Sequence, residues 1–329
     1  MSKKLVGFGE LLLRLDTPGH ERISQAESYH ARFTGGEANV CVAARRFGVT
    51  ECAIVSQVPD HAIGDACLET LNRFGVDTSS VVRQGERLGI LFVENGVSLR
   101  PSNVLYDRSH TSFRNADPEG FRWDQILTDA GVLHISGTAP ALGAKVNRIL
   151  EDAIEAAKSL GCPVSFDCSY RSALWGIEEA GKAFRRLGEQ ADILFATPED
   201  GRMFFGVDSE DPRQVIAKLA EDYQVQQIGY TDREIESASV NSLSGVLYRD
   251  GVFSLSRSHR FEIVDRIGSG DAFAAGILCG YLCDWEAQKT IDFASAAGAL
   301  QHSIAGDFCL VSADEVGRLV ESSSLRIRR

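Results

Sequence analysis

Basic residues are scarce: Lys and Arg number 34 against 46 Asp and Glu, a formal net charge of −12 over 329 residues. That deficit excludes the broad cationic footprint a nucleic-acid-binding surface needs. It also removes unspecific attraction to anionic membranes, so any anionic ligand must be held by local donors working against the global field. Long apolar runs are missing too, and none approaches the length that spans a bilayer. The stretch MSKKLVGFGELLLRLDTPG begins basic but has neither an adequate apolar core nor a small-residue cleavage site, so a cytoplasmic location is expected. Metal-type cysteine spacing is absent. The eight cysteines are scattered, and only Cys279 and Cys283 lie close, as C-G-Y-L-C inside an apolar segment. Buried free thiols in a reducing compartment are the expectation. Repeats, low-complexity tracts and linkers are also lacking, so the chain, 44% hydrophobic and 24% charged, reads as one α/β domain over 1–329.

What is present is a regular alternation. KLVGFG, CAIVSQV and GILFVE are short strand candidates, and from about residue 130 VLHIS, PVSFD, ILFAT and QQIGYT follow as near-continuous apolar runs. Between them lie helical stretches such as KVNRILEDAIEAAKSL, and two further helices are expected around 271–283 and 287–302. That rhythm predicts a mostly parallel sheet covered by helices. The segments at about 10–34 and 87–114 are polar, alternating and turn-rich, which suits a small β lid standing off the main body.

Two glycine patterns carry little. GFGELL at 7–12 lacks the third glycine of a dinucleotide fingerprint and reads as a strand-end turn. GTAPALGAK at 137–145 misses the P-loop spacing and its Gly-Lys-Ser/Thr, and reads as a strand-to-helix loop. DRIGSGDAFAAG at 265–276 is more specific. Gly268 and Gly270 permit backbone conformations that turn N–H groups towards an oxyanion, and an acid, Asp271, stands beside them. Asp271 reads either as a helix cap or as a general base next to a phosphate hole.

The company of that motif decides between these readings. DRIGSGDAFAAG resembles the C-terminal signature of the ribokinase-like (PfkB-type) sugar kinases, and TGGEANVCVAARRFGV with VPDHAIGDACLETLNRFGVDTSSV resembles their N-terminal half. Within that family GELLLRL, YDRSHTSF, FDCSYRSALW and GDFCLVSADEV are most similar to the kinases of 2-keto-3-deoxygluconate. The resemblance implies a ribokinase-like three-layer α/β/α fold with a mostly parallel central sheet and a small β lid. It implies ATP-dependent phosphorylation of the primary hydroxyl of a sugar acid, with Mg2+ and with a monovalent cation left open. By the same resemblance Asp271 is the base, and Gly268, Ser269 and Gly270 form the anion hole. Gly35, Asn39, Leu91, Tyr106, Arg108, Arg171 and Asp307 meet the sugar, whereas Ser169, Thr197, Thr231, Arg233, Gly268 and Gly270 meet the nucleotide. Asp200 serves the metal through water. Independently of the resemblance, exposed edges of lid strands often pair between subunits, so a homo-oligomer, a dimer through the lid strands, is expected.

The arginines suit this chemistry, since a planar donor fork fits both a carboxylate and a phosphate. Departures from the pattern bear on the substrate. Leu91 stands where a tyrosine is usual, Ser169 where an asparagine is, and Thr34 where a first glycine is. Asp232 replaces a leucine near the nucleotide, and TPED at 197–200 stands for Asn-x-x-Glu while also reading as a helix cap followed by proline. A kinase for a neutral sugar such as fructose or ribose, and a non-catalytic sugar or nucleotide sensor on the same fold, are the alternatives.

Overall fold

The structure, a computed structural model, describes residues 4–321. In chain order its first elements are β1 (Lys4–Phe8), β2 (Leu12–Asp16), β3 (His30–Thr34), α1 (Gly36–Arg46), β4 (Cys52–Val55), β5 (Gln57–Val58) and α2 (Ala62–Arg73). There follow β6 (Val82–Arg83), β7 (Gly89–Glu94), β8 (Asn103–Asp107), α3 (Trp123–Ile126), β9 (Ala130–Ser136), α4 (Ala144–Ser159), β10 (Val164–Asp167) and α5 (Ile177–Gly188). The chain continues through β11 (Ile193–Phe195), α6 (Pro198–Met203), α7 (Pro212–Tyr223), β12 (Gln227–Ile235), β13 (Val240–Arg249), β14 (Val252–Leu255) and β15 (His259–Glu262). It closes with α8 (Ser269–Leu282), α9 (Ala287–Gln301) and α10 (Ala313–Glu321).

The central sheet has the order β14-β13-β12-β11-β10-β9-β1-β4, with β15 also paired to β13. From β4 to β12 every pairing is parallel, and β13, β14 and β15 add an antiparallel margin. The parallel strands are buried on both faces, which is why their sequences read as unbroken apolar runs rather than alternating ones. Alternation along β1 sends Val6 and Phe8 into one core with α4, α5 and α7, and Leu5 into the other with α1, α8 and α9. The result is the ribokinase-like α/β/α architecture the sequence led us to expect.

The polar excursions form a second sheet of four strands, β3-β2-β7-β8. Strand β2 pairs antiparallel with β3 and parallel with β7, and β7 pairs antiparallel with β8. One register row crosses all four strands through Arg32, Arg14, Leu91 and Tyr106. Of the eight cysteines only Cys283 is exposed. Among the described residues no helix is long and apolar enough to cross a membrane.

Candidate active site

Open α/β sheets bind ligands beyond the carboxyl ends of their strands, and two cavities lie there. The first is lined by Leu91, Tyr106, Arg108, Gly35, Asn39, Asp271 and Asp307, with Glu10, Glu37, His134 and Ser136 beside them. The second is lined by Thr197, Asp200, Thr231, Gly270 and Phe273. Asp167, Ser169 and Arg171, at and just past the end of β10, line both. Every residue assigned to the sugar thus meets in the first cavity. Of the nucleotide set, Ser169, Thr197, Thr231 and Gly270 meet in the second, and Arg233 and Gly268 line neither.

Helix α8 begins at Ser269, and its N-cap is Gly268, with φ +87° and no side-chain cap. A Cβ on Gly268 would stand 2.1 Å from the Asp307 carbonyl oxygen, so glycine is needed both for the left-handed turn and for the contact. Ser269 turns inward, its Oγ donating to the Gly298 carbonyl at 3.0 Å, which leaves only backbone N–H groups for an anion. Asp271 is the third residue of α8 and does not cap it. Its Oδ2 accepts instead from Asn39 Nδ2 at 2.7 Å. Burial raises the Asp271 pKa to about 7; the Asn39 amide opposes this, and the carboxylates of Asp167 and Asp307 reinforce it. A carboxylate tuned to that range is a competent proton acceptor near neutral pH.

The two arginines differ. Arg108 is buried, with Nε and Nη2 both 2.6 Å from Glu10 Oε2, and its guanidinium lies over the Tyr106 ring at 5.7 Å. Arg171 is exposed, donates to the Tyr170 carbonyl, and forms no ion pair among the described residues. Its free charge therefore faces both cavities. Thr197 and Asp200 form a reciprocal capping box: the Asp200 amide donates to Thr197 Oγ1 at 3.1 Å, and the Thr197 amide to Asp200 Oδ2 at 2.8 Å. Asp232, one residue beyond Thr231 on β12, lines neither cavity.

Glu10, Glu37 and Arg14 had escaped assignment from the sequence. Glu10 neutralises Arg108 and accepts from Thr111 Oγ1 at 2.5 Å. Glu37 is buried on the first cavity and accepts from Ser136 Oγ at 2.5 Å; burial pushes its pKa up to about 7. Arg14, fully buried on β2, donates from Nε to Asp16 at 2.7 Å, from Nη2 to Asp265 at 2.5 Å, and from Nη1 to Asp307. Asp307 also accepts from Thr34 Oγ1. The glycines of GFG have a purpose of their own: a Cβ on Gly9 would come within 1.8 Å of Glu37 Oε2, so that turn is the slot the Glu37 carboxyl fills.

The model of the pfkB family carbohydrate kinases matches residues 2–307. The chain belongs to that family. This pfkB kinase is 31% identical over 329 residues, 100% of both chains, to a 2-dehydro-3-deoxygalactonokinase of Haloferax volcanii. It is 30% identical to a 2-dehydro-3-deoxygluconokinase of Thermoproteus tenax, over 92% of this chain and 89% of the other. Among solved structures it is similar to a 2-dehydro-3-deoxygluconokinase of Thermotoga maritima. The TM-score is 0.94 and the identity 39%, covering 98% of the kinase and 99% of that chain.

Proposed function

We propose that this kinase transfers the γ-phosphoryl group of ATP to the primary hydroxyl of a 2-keto-3-deoxy sugar acid, with 2-keto-3-deoxygluconate as substrate. The observation that carries the reading is the shared wall of the two cavities. Asp271 lines one and its neighbour Gly270 the other, so a hydroxyl beside the acid faces a phosphate beside the loop. Asp271 takes the hydroxyl proton as the oxygen bonds to the γ-phosphorus and the bond to the β–γ bridging oxygen breaks, releasing ADP. The N–H groups of the 268–270 loop stabilise charge on the transferring group. Arg171, free of a carboxylate partner, spans sugar acid and phosphate, and Arg108 with Tyr106 holds the acid end. The four-stranded sheet excludes the water that would otherwise take the phosphoryl group.

No cluster of three or more His, Cys, Asp or Glu among the described residues could hold a metal ion. That fits Mg2+, which keeps much of its water shell and leans on substrate phosphates. Asp200 and Asp167, acids on the second cavity, would reach it through water. When bound, the ion screens the phosphate charges. The outer edges of β3 and β8 are unpaired among the described residues, and there a second copy would add its strands.

The name of the Haloferax relative favours a second substrate, the galactonate epimer. The test is ADP release on both 2-keto-3-deoxy acids beside fructose and ribose. Preference for either acid is expected; preference for a neutral sugar overturns the reading. Saturable binding with no ADP from any of them would make the protein a sensor.

A further inference from the structure

Arg14 lies on a strand of the small sheet, yet two of its three carboxylate partners belong to loops of the main body. Asp265 opens the DRIGSGD motif and shapes both loops of the site. Its Oδ1 accepts from the Ile267 amide at 3.1 Å, and its Oδ2 from the Gly306 amide at 2.9 Å. Asp307 lies on the sugar cavity and touches Gly268 through its backbone. Arg14 therefore joins the turn before Gly268 to the turn at Gly306–Asp307, and both to β2. Its neighbours in the register row, Leu91 and Tyr106, line the same cavity.

Burial works against the Arg14 charge, but the carboxylates of Asp307, Asp265 and Asp16 overcome it and raise the guanidinium pKa. Asp16 is shared with Arg32 Nη1 at 2.5 Å, so two cations meet three acids in one cluster. A cluster needed only for charge balance could have been built within one sheet. This one spans the gap between the small sheet and the phosphate loop, and it does so through a planar fork whose donors leave in fixed directions.

We propose that Arg14 is a positioning residue for phosphoryl transfer: it fixes the sugar-lining sheet to the Gly268 loop, so that the bound hydroxyl and the loop amides stay aligned. The proposal rests on the assignment of Asp271 and the Gly268 loop made above. Misalignment on the order of 1 Å costs about 100-fold in rate and leaves nucleotide binding almost unchanged.

The test uses the full chain with ATP and 2-keto-3-deoxygluconate, following sugar phosphorylation and ADP release together. Arg14→Lys keeps the charge but not the fork. It is expected to remain folded by circular dichroism, to lose about 100-fold in kcat, and to bind ATP normally. It is also expected to send a larger share of ATP turnover to water. Arg14→Met with Asp16→Asn removes one charge of each sign, and is expected to recover thermal stability relative to Arg14→Met alone without recovering kcat. Wild-type turnover by Arg14→Lys, or recovery of both stability and kcat by the double variant, would overturn the proposal. Wild-type protein inactive in the same assay would count against the proposed function instead, and a folded Arg14→Lys with weakened ATP binding would count against positioning.

Discussion

Asn39 Nδ2 donates to Asp271 Oδ2 at 2.7 Å, and Asp271 Oδ1 is left over Gly36, where even a Cβ would stand 3.9 Å away. One oxygen is thus held and the other faces open space, the arrangement a base needs to receive a proton in a set direction. Removing the amide takes away a hydrogen bond to a charged group, worth about 1.5–3 kcal/mol. Asn39→Leu is therefore expected to lower kcat/KM at neutral pH by roughly 10- to 100-fold and to move the Asp271 titration upward. Unchanged kcat/KM in a coupled ADP assay would show that the amide plays no part.

The raised pKa of Asp271 sets the pH dependence. The base works ionised, so kcat/KM should rise with pH through about 7 with unit slope and then level off. A profile already flat between pH 5 and 8 would contradict the assignment.

Glu37 gives a stability test with a definite sign. Its folded pKa lies near 7, above the ordinary 4.5, because burial disfavours the anion; Ser136 and Arg108 oppose the shift and Asp167 adds to it. Protons are bound more tightly by the folded chain, so the contribution is full below about pH 4.5 and lost as pH rises through 7. Glu37→Gln should remove this loss, stabilising the protein at pH 8 relative to pH 5 by up to about 3 kcal/mol in comparison with wild type. Parallel melting temperatures for the two proteins across that range would contradict it.

The two site arginines should separate in behaviour. Arg108→Met leaves Glu10 buried without its cation, and loss of one partner of a buried pair costs about 3–5 kcal/mol. Arg171→Met breaks no ion pair, so its melting temperature should stay near wild type while KM for the sugar acid rises. Thermal melts beside initial-rate kinetics distinguish the two.

Much of this was open to reading from residue order alone. The strands VLHIS, PVSFD and ILFAT announced a sheet buried on both faces, and DRIGSGD announced an anion loop with an acid beside it. Arg14 was hidden because an arginine in LLLRLD looks like the solvent-facing position of an alternating strand. Its partners, Asp265 and Asp307, are more than 250 residues away and only the fold brings them near. Glu10 and Glu37 were hidden for the same reason, since neither has its partner nearby in sequence. The slot at Gly9 shows how a glycine pair without a nucleotide can still be required, by a side chain on a different element.

The measurement that bears most directly on the account is single-turnover phosphorylation of 2-keto-3-deoxygluconate by Asp271→Asn, with ATP affinity measured on the same protein. Asparagine keeps the shape and the contact with Asn39 but cannot take the hydroxyl proton. The transfer rate is expected to fall by about 100- to 10,000-fold with ATP binding nearly unchanged. A rate within a few-fold of wild type would contradict it.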